Sequence, residues 1–120
     1  MPETILVVDD EPDIRFLLRM ALERAGFEVE EAAGGEEAVA ACETNPPSLV
    51  LLDVNMPRLN GFAVVERLRS APETKDIPVL LISAESTASN EQRAIEVGAQ
   101  GYVPKSMPSR DLIERIRRTL

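Results

Sequence analysis

The chain has 120 residues and a formal charge of −8, enough for one compact domain with a real core and too few for two. Hydrophobic residues make up 44% and aromatics only 3%, so the core must be aliphatic. The acidic balance argues against nucleic acid held on a basic face and against an anionic membrane surface, and the absence of histidine excludes His-based catalysis and His metal ligation within the chain.

The first element is the apolar run Ile5-Leu6-Val7-Val8, closed by Asp9 and Asp10. A short continuous apolar run bounded by polar residues reads as a strand buried on both faces. Pro12 then suits a helix's first turn, where its missing N–H costs nothing. Ile14, Leu17, Leu18, Ala21, Leu22 and Ala25 follow with helical spacing and form the expected apolar stripe, and Gly26 supplies the stop. Phe27-Glu28-Val29-Glu30 alternates, as a half-solvated strand at a sheet edge does. Gly34-Gly35 turns the chain into a second helix over about 36–43, which Asn45-Pro46-Pro47-Ser48 ends.

Leu49-Val50-Leu51-Leu52 is a second fully buried strand, closed by Asp53. Asn60-Gly61 marks a turn before a third helix over about 62–69, and 72–76 is a polar loop. Residues 77–82 read as the fourth strand, with Pro78 tolerated near its start. A fourth helix spans about 87–97 and stops at Gly98; 100–103 is a short fifth strand, which Pro104 places at an edge. The last helix carries Leu112, Ile113, Ile116 and Leu120. Five strands alternating with five helices give an α/β fold, a parallel sheet with helices on both faces. Periodicity alone does not fix the strand order.

Carboxylates at the carboxyl ends of parallel strands sit on the rim where ligands bind. If the first and third strands are neighbours, Asp9, Asp10 and Asp53 crowd together. At ~4 Å, each carboxylate pair repels by about 1 kcal/mol in water and about 4 kcal/mol at an effective dielectric of about 20. Mg²⁺ relieves such crowding through carboxylate oxygens, a carbonyl and retained waters, with Mn²⁺ as a substitute. A carboxylate is also a competent covalent nucleophile for a phosphoryl group. Ser83 closes the fourth strand with a hydroxyl, and Lys105 follows the fifth with a mobile positive charge. Three acids, a hydroxyl and an ammonium on four strand ends make a phosphoryl site.

Taken in order, Ile5-Leu6-Val7-Val8-Asp9-Asp10-Glu11, Leu51-Leu52-Asp53-Val54-Asn55-Met56-Pro57, Asn60-Gly61-Phe62, Ser83-Ala84 and Lys105 resemble the receiver domain of two-component response regulators, of the chemotaxis-receiver kind. The resemblance covers essentially residues 1–120, as one receiver domain. It implies a flavodoxin-like doubly wound sheet of order 2-1-3-4-5, with the first and third strands side by side. It also implies a phosphorylation-controlled switch. Asp53 is then the phosphoacceptor, taking the group from a phosphohistidine on a sensor histidine kinase or phosphotransfer protein. Asp10 and Asp53 ligate Mg²⁺ directly, Asp9 acts largely through water, and the Asn55 carbonyl adds a ligand. Ser83 and Lys105 bind the phosphoryl group. Ser83 and Tyr102 form the switch, and the output face is the fourth helix, fifth strand and fifth helix. Asn55 and Glu85 influence phosphoryl lifetime, and their polar side chains predict a fairly labile group. Such a domain is not an enzyme beyond catalysing its own phosphorylation and dephosphorylation. Its expected setting is cytoplasmic: Cys42 is the only cysteine, the start Met1-Pro2-Glu3-Thr4 is not that of a secretory signal, and no run is long enough to span a membrane. No nucleic-acid contact by this domain is expected. No effector segment follows Leu120 in this sequence, and the output partner stays open between an attached domain and a separate protein.

The chain departs from the family where Lys105 is followed by Ser106 rather than proline. A cis bond before a non-proline residue costs about 2.5–4 kcal/mol, so trans is expected, with Lys105 displaced by the relaxed loop. Phe16 and Met20 fall opposite the apolar stripe of the first helix and are expected to be exposed. Cys42 is expected as a partly buried filler, and Glu28, Glu30 and Glu31 as a solvated edge rather than a ligand set. For Tyr102 the alternative to a switch is plain packing with its hydroxyl in water. Two other functions compete. A degenerate receiver, acting as a phosphorylation-independent binding module, is favoured only by Lys105-Ser106. An aspartate-nucleophile phosphohydrolase would carry its nucleophile on the first strand with a second Asp two residues on, where this chain has Glu11.

Overall fold

The computed structural model describes residues 2–85 and 87–120. Its elements alternate strictly: β1 (Thr4–Val8), α1 (Pro12–Arg24), β2 (Glu28–Ala32), α2 (Gly35–Thr44), β3 (Leu49–Asp53), α3 (Gly61–Arg69), β4 (Val79–Ser83), α4 (Ala88–Val97), β5 (Gly101–Pro104) and α5 (Ser109–Thr119). All strand pairs are parallel, in the order β2-β1-β3-β4-β5. The expected neighbours β1 and β3 are therefore paired, with Val8 opposite Leu52. Because β2 and β3 flank β1 on opposite sides, the chain reverses its winding there and leaves a crevice at the carboxyl ends.

Side-chain alternation along each strand divides the core in two. Leu6, Val8, Val50, Leu52, Val79 and Leu81 pack with Ala38, Val39, Val64, Val65, Leu68 and Ala94 on the face covered by α2, α3 and α4. Ile5, Val7, Leu49, Leu51, Leu80 and Ile82 pack with Leu22, Leu112 and Ile116 beneath α1 and α5. The β2 edge differs from the central strands as expected. On β2, Val29 and Ala32 are buried and the glutamates exposed, while β1, β3 and β4 are buried along almost their whole length.

Helix ends follow their local chemistry. Asn60 caps α3 by accepting from the Ala63 N–H at 3.0 Å, and Thr87 caps α4 by accepting from Asn90 at 3.1 Å. Gly98 ends α4 in the left-handed region at φ +94°, where a side chain would be strained.

Several expectations need correction. Leu17, placed on the apolar stripe of α1, is 62% exposed, because α5 covers only the Leu22 side of the helix. It joins Phe16 and Met20, which are exposed as expected. Cys42 is fully rather than partly buried, and burial pushes its thiol up to about 11. The fourth strand begins at Val79 rather than 77, since the Ile77 N–H is used to close a turn onto the Thr74 carbonyl. The fifth runs one residue later than expected, through Pro104. Among the described residues no helix is long and apolar enough to cross a membrane.

Candidate phosphoryl and metal site

The crevice gathers residues from three strand ends. Asp9 follows β1, Asp53 ends β3, and Lys105 follows β5; each continues the alternation that sends Val7, Leu51 and Val103 to the α1/α5 face. Asp9 and Asp53 are 1% and 2% exposed, whereas Asp10 is open to solvent. One carboxylate oxygen from each of Asp9, Asp10 and Asp53 lies within 4.8 Å of the others. Lys105 Nζ bridges the two buried acids, at 3.2 Å from Asp9 Oδ2 and 3.4 Å from Asp53 Oδ2.

The remaining oxygens are held by local turns. Asp9 Oδ1 accepts from the Glu11 N–H at 2.9 Å, and Asp53 Oδ1 from the Asn55 N–H at 3.3 Å. Asp9 Oδ2 is buried and accepts no aligned hydrogen bond; its contact with Lys105 is an ion pair. Three crowded carboxylates, one lysine and a buried oxygen lacking an aligned donor suit a hard divalent cation with oxygen ligands.

Electrostatics bear the marks of this crowding. Burial first, and the Asp9 charge second, push the Asp53 carboxyl up to about 6, although the Lys105 charge acts against them. Burial alone would lower the Lys105 ammonium, but the Asp53 and Asp9 charges outweigh it and hold it above its ordinary value. At neutral pH Asp53 is therefore mostly ionised and faces a cation.

The Lys105–Ser106 peptide is trans, as are all the described peptide bonds. The Lys105 N–H donates to the Ser83 carbonyl at 2.7 Å and anchors the strand end beside β4, and with the trans bond Nζ still reaches both buried acids. Ser83 is buried, on the alternation opposite to Asp53, and its Oγ accepts from the Glu85 N–H at 3.1 Å. Asn55 and Glu85 are both exposed on the rim. Behind the site, Gly61 lies so close to β3 that a Cβ would fall 2.6 Å from the Asp53 carbonyl oxygen. A glycine is required there by space rather than by φ.

Tyr102 is half-buried against the α2–α4 core, and its hydroxyl is not simply in water. It donates to the Glu85 carbonyl and accepts from Asn90 Nδ2 at 3.3 Å, tying β5 to the β4–α4 loop and to α4. Glu31 also differs from a merely solvated residue. It pairs with Arg15 at 3.0 Å and Arg19 at 2.6 Å, and these hydrogen bonds, Arg19's foremost, hold its carboxyl below the usual range. Arg15 in turn donates to the Asp9 carbonyl at 2.6 Å. Sequence reasoning passed over this arginine. The available signal was Arg15 and Arg19 four apart on one helix face, beside an acidic edge strand. A groove of about 760 Å³ between α1 and α5 includes Ala21, Arg24, Ile113 and Arg117 and none of Asp9, Asp10 and Asp53. The chemistry points to the acidic crevice instead.

Comparison with known proteins agrees with this geometry. The family model described as "Response regulator receiver domain" matches residues 5–117. The phosphate regulon transcriptional regulatory protein PhoB of Pseudomonas aeruginosa is 37% identical over 118 residues, covering 98% of this chain and 52% of that protein. Response regulator MprA of a Mycobacterium species is 40% identical over 120 residues, covering all of this chain and 51% of that protein. The chain thus spans about half the length of these curated relatives. Among solved structures, chemotaxis protein CheY4 of Vibrio cholerae superimposes with a TM-score of 0.95 at 33% identity, over the whole of both chains. The chain belongs to the response regulator receiver domain family.

Proposed function

We propose that residues 1–120 form one receiver unit in which Asp53 accepts a phosphoryl group from a phosphohistidine on a sensor histidine kinase or phosphotransfer protein. The P–N bond breaks as the bond from the Asp53 carboxylate to phosphorus forms, and the departing imidazole takes up a proton. The observation that carries this reading is the buried Asp53 carboxylate, with Lys105 Nζ 3.4 Å away and oxygens of Asp9 and Asp10 within 4.8 Å. Lys105 holds positive charge where the phosphoryl oxygens arrive, and the Ser83 hydroxyl supplies a donor from the neighbouring strand. Asp9, Asp10, Asp53 and the Asn55 carbonyl would hold Mg²⁺, or Mn²⁺ in its place. That ion, when bound, supplies charge neutralisation for the acids and for the transferring group.

Reorientation of Ser83 toward the phosphoryl group disturbs the loop through Glu85, and Tyr102 hears of it through the Glu85 carbonyl. This supports Ser83 and Tyr102 as the switch and α4, β5 and α5 as the output face, toward an attached domain or a separate protein. Exposed Asn55 and Glu85 leave the site open to water and favour a short phosphoryl lifetime. The domain catalyses only its own phosphorylation and dephosphorylation. A charge of −8 supports a domain that itself makes no nucleic-acid contact, and the setting is cytoplasmic.

The test is incubation with acetyl phosphate and Mg²⁺, followed by intact-protein mass spectrometry. One phosphoryl mass is expected on the parent, and at least a hundredfold less on Asp53→Asn. Equal labelling of the two would remove Asp53 from this role. No labelling of the parent would favour the phosphorylation-independent module.

A further inference from the structure

Two of the three clustered carboxylates, Asp9 and Asp10, are consecutive, so the peptide joining them sets the aim of both. Asp9 is held at several points. Its N–H donates to the Ala32 carbonyl at 3.2 Å and its Oδ1 accepts from Glu11. Its carbonyl, the oxygen of the Asp9–Asp10 peptide, accepts from Arg15 Nη1 at 2.6 Å. The Arg15 side chain is only 16% exposed, and its Nε donates to Glu31 Oε1 at 3.0 Å. Glu31 is itself fixed, by Arg19 on its other oxygen and by strand pairing opposite Val7. One planar guanidinium thus spans from an edge-strand carboxylate to the backbone of the acid pair. An ammonium has no such fork and cannot reproduce both bonds in one plane.

Resting on the metal-dependent reading of the acid cluster, we infer that Arg15 is a positioning residue for divalent-cation binding. It orients the Asp9–Asp10 peptide, and Glu31 on β2 holds it in place. Arg15 touches no reacting atom in this scheme; it acts through the Asp9 carbonyl. Partners that orient metal ligands without binding metal typically change affinity by about 10–100-fold when lost.

Isothermal titration of the full chain with Mg²⁺ tests this, beside backbone amide spectra of Asp10 and Glu11. Arg15→Gln is expected to weaken Mg²⁺ roughly tenfold, Arg15→Lys nearly as much, and Glu31→Gln about threefold. Phosphorylation by acetyl phosphate should fall in the same proportion at limiting Mg²⁺ and return to within about twofold of the parent at saturation, a split that general destabilisation does not produce. Parent-like affinity in Arg15→Gln, or full rescue by Arg15→Lys, overturns the inference, the latter by showing that charge alone matters. If Arg15→Gln does not fold, Glu31→Gln decides: unchanged affinity overturns the inference and weakened affinity supports it. A parent that binds no Mg²⁺ overturns the reading of the site as well, whereas a parent that binds beside variants that bind equally overturns only the role of Arg15.

Discussion

The two ends of the sheet are built on opposite rules. At the amino end, polar groups are paired by hydrogen bonds in which no two like charges meet. Ser48 exchanges hydrogen bonds with Thr4, its N–H donating to the Thr4 carbonyl at 2.8 Å and its Oγ accepting from the Thr4 N–H at 3.2 Å. Gln100 Oε1 accepts from the Val79 N–H at 2.7 Å and from Arg69, and the buried Thr74 hydroxyl donates to the Leu68 carbonyl at 2.7 Å. Among the described buried side-chain atoms at that end, only Arg69 Nη1 goes without a partner. At the carboxyl end, two buried carboxylates share one lysine and Asp53 is pushed up to about 6. The amino end is arranged for stability. The carboxyl end carries like charges that lower stability until a cation arrives, which is how functional sites commonly differ from their scaffolds.

The sharpest way to break this contrast is to remove one charge. In metal-free protein, burial and the Asp9 charge push the Asp53 carboxyl up to about 6 when folded, against an ordinary value of 3.8. Its stabilising contribution is therefore present below pH ~4 and lost as pH rises through about 6. Asp53→Asn should gain about 1–3 kcal/mol at pH 7 and flatten the slope between these values, as measured by urea unfolding in chelator. An unchanged slope in the variant would mean the acids do not repel as described. Comparable in size, Mg²⁺ at about a hundred times its dissociation constant should stabilise the parent by about 2.7 kcal/mol and raise its melting temperature. The same addition should do little for a variant with Asp9 and Asp53 both changed to Asn; an equal rise there would assign the effect to general ion binding. The smallest effect belongs to the other end of the sheet. Thr74→Val leaves the Leu68 carbonyl without its donor and should cost about 1–2 kcal/mol while phosphoryl uptake stays at parent level. A loss of uptake would show that the two ends are coupled.

Much of the fold was legible locally. Each fully buried strand announced itself as an uninterrupted aliphatic run, and the alternating Phe27–Glu30 segment announced an edge. Proximity of Asp9, Asp10 and Asp53 followed once β1 and β3 were neighbours, but that adjacency came from family resemblance and not from periodicity. Leu17 was misread because a helical stripe says which residues share a face and not how far the neighbouring helix extends over it. The partners of Glu31 and Tyr102 were not legible for a related reason. Those partners, Arg15 and Arg19 for one and Glu85 and Asn90 for the other, are 12 to 17 residues away, and only the folded chain brings them within reach.

By itself, then, the order of residues determined which segments are strands, which of them are central, and where each acid sits on its strand, because burial and period are properties of short stretches of chain. Tertiary structure alone decided that Lys105 reaches both Asp9 and Asp53 although serine follows it, and that Arg15 grips the Asp9 carbonyl. Those contacts depend on the relative placement of separate strand ends, where a displacement of an ångström or so separates a hydrogen bond from none.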